Sequence, residues 1–226
     1  MKMHNPILII PALSGTLGLS RKLRQVLPDR SPTESIELAE STKELGLLRA
    51  PTLKSLSNWI QNEFPKKTLQ PNQVLISSCA GSILATELAF SLKNQGLEPN
   101  KLVLIDPPVN LPFMRHKQLP RLFISMIHRY AYDSLRIYKS RNWLTRCEPS
   151  FRYRMLLKLR ATTFLCTSSP CPTEIILSSA RAHLMERGVF SYAFRNANYH
   201  IIDCKHSELF SGEKLTRIGA IINNVV

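Results

Sequence analysis

The stretch Val74-Leu75-Ile76-Ser77-Ser78-Cys79-Ala80-Gly81 decides how the chain is read. Val74, Leu75 and Ile76 form a short apolar run of the kind found in a buried strand. Ile83, Leu84, Glu87, Leu88, Ser91 and Leu92 then recur at helical spacing until Gly96 stops them. Cys79 therefore sits between a strand and a helix. A turn that sharp strains the backbone of its apex residue and demands small neighbours; Ser77, Ala80, Gly81 and Ser82 all satisfy it. A cysteine after a strand is also an ordinary place for an inert core thiol. The rest of the chain distinguishes the two readings.

A nucleophilic cysteine needs a base to make thiolate, and the base needs an acid to hold its tautomer. Lys101-Leu102-Val103-Leu104-Ile105 is a second buried-strand run, and it ends in Asp106-Pro107-Pro108. The prolines stop the strand and leave the carboxylate at its carboxyl end, where open parallel sheets place their sites. A third run, Tyr199-His200-Ile201-Ile202-Asp203-Cys204, leads into Lys205-His206-Ser207-Glu208-Leu209-Phe210 and so puts His206 in a loop before a last helix. That helix is read from Leu215, Ile218, Ile222 and Val225, with Ser211 as its cap. Each partner has a plainer use: Asp106 as a turn residue, His206 as a solvated loop histidine. His200 and His183 compete for the base; His200 falls inside a strand pattern, and His183 has no strand immediately before it.

The strand–Cys79–helix turn resembles the nucleophile elbow of α/β hydrolases, with cysteine in the usual place of serine and Ser77 in the place of a glycine. More narrowly, the chain resembles the thioesterase domains of non-ribosomal peptide and polyketide synthases and their free-standing type II relatives. Four stretches carry that resemblance: Pro6-Ile7-Leu8-Ile9-Ile10-Pro11-Ala12 with Gly15, the elbow at Cys79, Leu102-Val103-Leu104-Ile105-Asp106, and Lys205-His206-Ser207-Glu208-Leu209-Phe210. The resemblance implies a Cys79–His206–Asp106 triad and an oxyanion hole from the backbone N–H groups of Ala80 and Ala12. It also implies a carrier-bound acyl or peptidyl thioester as substrate, released by hydrolysis, cyclisation or transfer. Most such domains use serine. Acyl transfer to a cysteine exchanges one thioester for another and keeps the acyl group activated, so an amine or hydroxyl can compete with water.

The expected architecture is a single α/β domain over residues 1–226, with a mostly parallel central sheet, helices on both faces and a helical lid inserted at about 109–172. In order, the pattern gives strand 6–10, a helix near 19–27, a short strand at 35–38, helix 52–63, strand 73–77, helix 82–94, strand 101–105, the insertion, strands 173–178 and 198–204, and the final helix. At 226 residues and 44% apolar, the chain can bury a substantial core without disulfides. Pro11 ends the first apolar run too early for a signal sequence and no run is long enough to span a membrane, so a cytoplasmic protein is expected, either free-standing or an excised terminal domain. Five cysteines are an odd number, and Cys166, Cys171 and Cys204 read as reduced thiols rather than metal ligands. No metal, nucleotide or other cofactor is implied; the substrate's phosphopantetheine belongs to its carrier.

The insertion carries most of the charge. Leu119, Leu122, Phe123, Met126, Ile127 and Tyr130 begin one helical stripe, and Phe151, Met155, Leu156 and Leu159 form another. Twelve Lys and Arg against Asp133 and Glu148 give the segment +10 of the chain's +14. A charge run is commonly just a solvated face. Here it also suits an acidic acyl or peptidyl carrier protein, steered to the site by long-range attraction. No nucleic-acid-binding motif is present. Two rival functions share these features: a carrier-independent cysteine hydrolase of small esters or lactones, similar to dienelactone hydrolases, and a non-catalytic module that binds through its basic insertion.

Overall fold

A computed structural model describes residues 5–12, 18–28, 31–36, 71–108, 168–186, 194 and 196–224. The helix expected over 52–63 lies outside them, as does the insertion up to residue 167. Among the described residues, six strands form one sheet: β1 (Ile7–Ile10), β2 (Thr33–Ser35), β3 (Val74–Ser78), β4 (Lys101–Ile105), β5 (Thr173–Ser178) and β6 (Ala197–Ile202). Their spatial order is β2-β1-β3-β4-β5-β6, and every neighbouring pair is parallel. The helices are α1 (Gly18–Leu23), α2 (Gly81–Asn94), α3 (Ser179–Glu186) and α4 (Gly212–Asn223), with a 3₁₀ turn at His206–Glu208.

Alternation along the strands divides the core in two. Leu8, Ile10, Leu75, Leu102, Leu104, Ile175 and Leu177 face α2, which brings Leu84, Leu88 and Leu92. Ile7, Ile9, Val74, Ile76, Val103, Ile105 and Ile176 face the other way, towards Leu19 and Leu23 of α1 and Leu215, Ile218 and Ile222 of α4. A parallel sheet covered on both faces needs such near-continuous apolar strands, and each fully buried Leu or Ile contributes about 1.5–3 kcal/mol. The amino half of α2 is buried almost all round, so Ala85, Thr86 and Ala89 join the core, while Glu87 and Ser91 of the expected stripe are only half-buried. Gly96 closes α2 with φ 75°; its N–H donates to Lys93 O at 3.0 Å and the Leu97 N–H to Leu92 O at 2.9 Å, the paired bonds of a Schellman end.

Several boundaries differ from those the sequence predicts. The second strand begins two residues earlier than 35–38, because Thr33, Glu34 and Ser35 pair with Ile7, Leu8 and Ile9; Ile36 is the buried residue that closes the strand. Helix α1 is regular only to Leu23 and continues as a tightened turn, with Val26 N–H on Leu23 O at 2.9 Å, before Pro28. β6 stops at Ile202, since Asp203 and Cys204 turn towards Ser179, whose hydroxyl reaches Asp203 Oδ1 at 2.9 Å. The sequence reading placed nothing between 178 and 198, yet α3 follows β5 directly; its short Ser-Ala-Arg-Ala-His run lacks an apolar stripe to announce it. Ser211 does precede α4, but its hydroxyl donates to Glu208 O at 2.6 Å instead of capping the helix.

The strand order positions the site. The chain moves from β1 outward to β2, then returns to the other side of β1 for β3. In open α/β sheets the crevice at such a reversal, beyond the carboxyl ends of the strands, is where ligands bind. Cys79 follows β3 at that point.

Candidate active site

Cys79 occupies the elbow between β3 and α2 with φ 50°, in the left-handed region that a non-glycine residue enters at a cost of about 1–2 kcal/mol. The fold holds it there from both sides. Its N–H donates to Ile105 O at 2.8 Å, and its carbonyl accepts from Ser82 N–H at 3.1 Å. Gly81 is required by close approach: a Cβ there would lie 2.1 Å from Pro11 O and 2.7 Å from Ser77 Oγ. Ser77, where a glycine is usual, donates its hydroxyl to Ile10 O at 3.0 Å and so ties the elbow to the end of β1. Together these bring the Pro11–Ala12 backbone against the start of α2.

Asp106 follows β4, also with positive φ (49°), a conformation that Asp tolerates better than most residues. Its N–H donates to Ile176 O at 2.7 Å, and its carboxylate is fully buried. Three hydrogen bonds and one ion pair satisfy that carboxylate. Ser178 supplies its N–H and its hydroxyl to Oδ1, each at 2.9 Å; on Oδ2 sit the Nδ1–H of His206 and, at 3.3 Å, the Nε of Arg181. The other imidazole nitrogen of His206 is left for Cys79, and each of those two side chains shifts the other's titration. Cys79, His206 and Asp106 thus make one cluster, with His206 hydrogen-bonded to Asp106 and acting electrostatically on Cys79.

The electrostatics follow from this geometry. Burial pushes the Cys79 thiol up, but the hydrogen bond and charge of His206, the Arg181 cation and the Ala80 N–H together hold it below the ordinary thiol range. The amino end of the 14-residue α2 begins beside it, where a helix favours negative charge. The Asp106 hydrogen bond, reinforced by Cys79, raises His206 to about 9 against the opposing effects of burial and Arg181. Burial likewise pushes the Asp106 carboxyl up, but His206, Ser178 and Arg181 outweigh it and keep it ionised. The other two described cysteines move the opposite way: burial pushes Cys171 up to about 12, and burial with nearby Glu208 and Asp106 raises Cys204.

The remaining candidates separate cleanly. The Ala80 N–H helps to lower the Cys79 thiol, and Ala12 is half-buried on the adjoining backbone. His200 lies in β6 with its Nε2 2.7 Å from Glu174 Oε2; Glu174 is the second residue of β5, at the far end of the sheet, and also meets Lys101 Nζ at 3.2 Å and Asn198 Nδ2 at 3.0 Å. His183 does follow a strand, because β5 ends at Ser178, but it is exposed on α3. Among the described residues no three His, Cys, Asp or Glu side chains gather as a metal site; Cys166 lies outside them. Sequence reasoning missed Ser178 and Arg181. The position of Ser178 at the carboxyl end of a strand was a usable signal, whereas nothing marked Arg181 among so many basic residues.

No protein-family model matches the sequence, and no curated protein matches it. Solved structures do match in fold. The RedJ thioesterase of the prodiginine pathway in Streptomyces coelicolor superposes with a TM-score of 0.64 at 16% identity, covering 98% of this chain and 90% of that one. The NocB thioesterase domain, solved as a covalent complex with a fluorophosphonate nocardicin G analogue, gives 0.67 at 15%, covering 98% and 94%. The Vlm2 thioesterase domain, solved with a bound dodecadepsipeptide, gives 0.61 at 14%, covering 98% and 94%. The fold is therefore that of thioesterase α/β-hydrolase domains. Among the described residues no helix is long and apolar enough to cross a membrane.

Proposed function

On a fold shared with thioesterase domains, we propose that this chain is an acyl-enzyme catalyst of the thioesterase type, working through a Cys79–His206–Asp106 triad on a carrier-bound acyl or peptidyl thioester. One observation supports it above the others: of the three described cysteines, Cys79 alone has its thiol pulled down, and an Asp-oriented histidine is what chiefly lowers it. A structural core thiol needs neither.

The chemistry runs as two substitutions. The Cys79 thiolate attacks the thioester carbonyl, and the charge that develops on its oxygen is held by the Ala80 and Ala12 N–H groups. The Ala80 N–H already favours the anionic sulfur in the resting site. As the carbon–sulfur bond to the pantetheine arm breaks, His206 gives its proton to the leaving thiolate. The acyl group is now on Cys79 and His206 is neutral. It takes a proton from water or from a hydroxyl or amine of the chain, that acceptor attacks, and Cys79 leaves as thiolate with His206 again protonated. Asp106 stays ionised throughout and fixes the imidazole tautomer.

The test is intact-protein mass after mixing wild type, Cys79→Ala and His206→Ala with acyl thioesters, both free and loaded on a carrier protein. The expected result is a mass increase equal to the acyl group in wild type, absent in Cys79→Ala and slowed in His206→Ala by on the order of 10³-fold. Wild type that stays unlabelled, with Cys79 alkylated no faster than the other thiols, overturns the reading in favour of a binding module. Equal use of free and loaded thioesters removes the carrier from it.

A further inference from the structure

Arg181 holds a position that neither the fold nor the triad requires of an arginine. It projects from the first turn of α3, and its side chain is 19% exposed. Its guanidinium makes one ion pair and one hydrogen bond: Nε lies 3.3 Å from Asp106 Oδ2, the oxygen that also accepts from His206, and Nη1 donates to Pro107 O at 2.6 Å. A planar fork satisfied at two points loses its freedom and fixes its charge in space. That charge is placed against the buried acid.

Resting on the triad proposed above, we propose that Arg181 is a positioning residue that sets the pH window of Cys79 and His206 through its charge. Thiolate, imidazolium, carboxylate and guanidinium sum to zero, so the half-buried site holds its ion pair without net charge. Removing the guanidinium leaves one uncompensated negative charge there, which both the thiol and the imidazole answer by holding their protons more tightly. The Arg181 cation lowers Cys79, Asp106 and His206 alike. The other charged groups nearby are engaged elsewhere: Asp203 accepts from Ser179 Oγ at 2.9 Å, and Glu208 accepts from Lys205 N–H at 3.0 Å. Glu208, Lys214 and Asp203 act on Cys204.

A purely structural role predicts something different. If Arg181 only steadied Asp106, its loss would weaken the hydrogen bond that lifts His206, and the imidazole would titrate lower. Loss of charge moves both groups upward.

The experiment compares wild type, Arg181→Gln and Arg181→Lys. The Cys79 midpoint is read from the pH dependence of iodoacetamide alkylation by mass, and the His206 midpoint from its ring carbon resonance in histidine-labelled protein, assigned with His206→Ala. In Arg181→Gln both midpoints are expected to rise by about one pH unit, the low end of a neighbouring charge's effect. Arg181→Lys keeps the charge and should return both to within about 0.3 unit of wild type, although a lysine cannot span both bonds. Midpoints that do not move in Arg181→Gln, or a His206 midpoint that falls, overturn the proposal. So does failure of Arg181→Lys to restore them when its circular dichroism and melting match wild type. The triad reading fails by a separate result, wild-type Cys79 reacting no faster than the other thiols.

Discussion

Cys79 answers two opposed demands, since burial beside the core favours a neutral thiol while nucleophilic chemistry needs the anion. His206, Arg181, the Ala80 N–H and the start of α2 outweigh burial, so the thiol titrates below its ordinary range while the imidazole titrates at about 9. A lowered thiol beside a raised imidazole favours a thiolate–imidazolium pair, whose proton steps belong to the pair rather than to either residue. The sign of the pH dependence follows. Thiolate is lost as pH falls through the lowered thiol value, so alkylation of Cys79 should set in at lower pH than that of Cys204, which is raised, or of Cys171, pushed up to about 12. Asp106→Asn removes the main cause of the raised imidazole and hence of the pair. Its alkylation midpoint should move upward, and its acylation rate should fall on the order of 10³–10⁴-fold; a mass-resolved pH profile of both reactions checks this. An unmoved midpoint in Asp106→Asn would mean that the Asp106–His206 bond does not reach the sulfur.

The elbow works as an element because it is welded to its neighbours. Gly81 sits 2.1 Å, counted from a would-be Cβ, from the carbonyl of Pro11, and backbone cannot swing aside as a side-chain tip can. Gly81→Ala should therefore cost about 1–3 kcal/mol or more of stability and also displace Ala12 from Ala80, so that Cys79 is still alkylated but acylated far more slowly. Gly219 is the matched comparison. A Cβ there would come 2.5 Å from Val26 Cβ, where α4 packs on the end of α1, remote from the triad. Gly219→Ala should lower stability by a similar amount while the ratio of acylation to alkylation stays as in wild type. Urea melts and mass labelling of the two variants separate the effects; equal loss of that ratio in both would show that the Pro11–Gly81 approach has no special part in catalysis.

Across the whole molecule the charge is lopsided, with +10 of +14 in residues 109–172. If that segment steers an acidic carrier, kcat/KM for a loaded carrier should fall several-fold between about 0.05 and 0.5 M salt, while the same acyl group on free pantetheine is unaffected. Parallel loss for both substrates would assign the charge to solvation. By itself the sequence determined the class of fold, the strands at 101–105 and 173–178, the elbow and the three triad candidates. Each is written locally, in an apolar run, a stop signal, or a small residue where the turn needs one. Only the tertiary structure decided which histidine meets Cys79, that Ser178 and Arg181 complete the acid, and that Pro11 lies on Gly81. Those partners stand 72, 75 and 70 residues or more from the groups they serve, and His206 stands 100 from Asp106. They meet because β4 and β5 pair in one register and the chain reverses between β1 and β3, and no local pattern records a register.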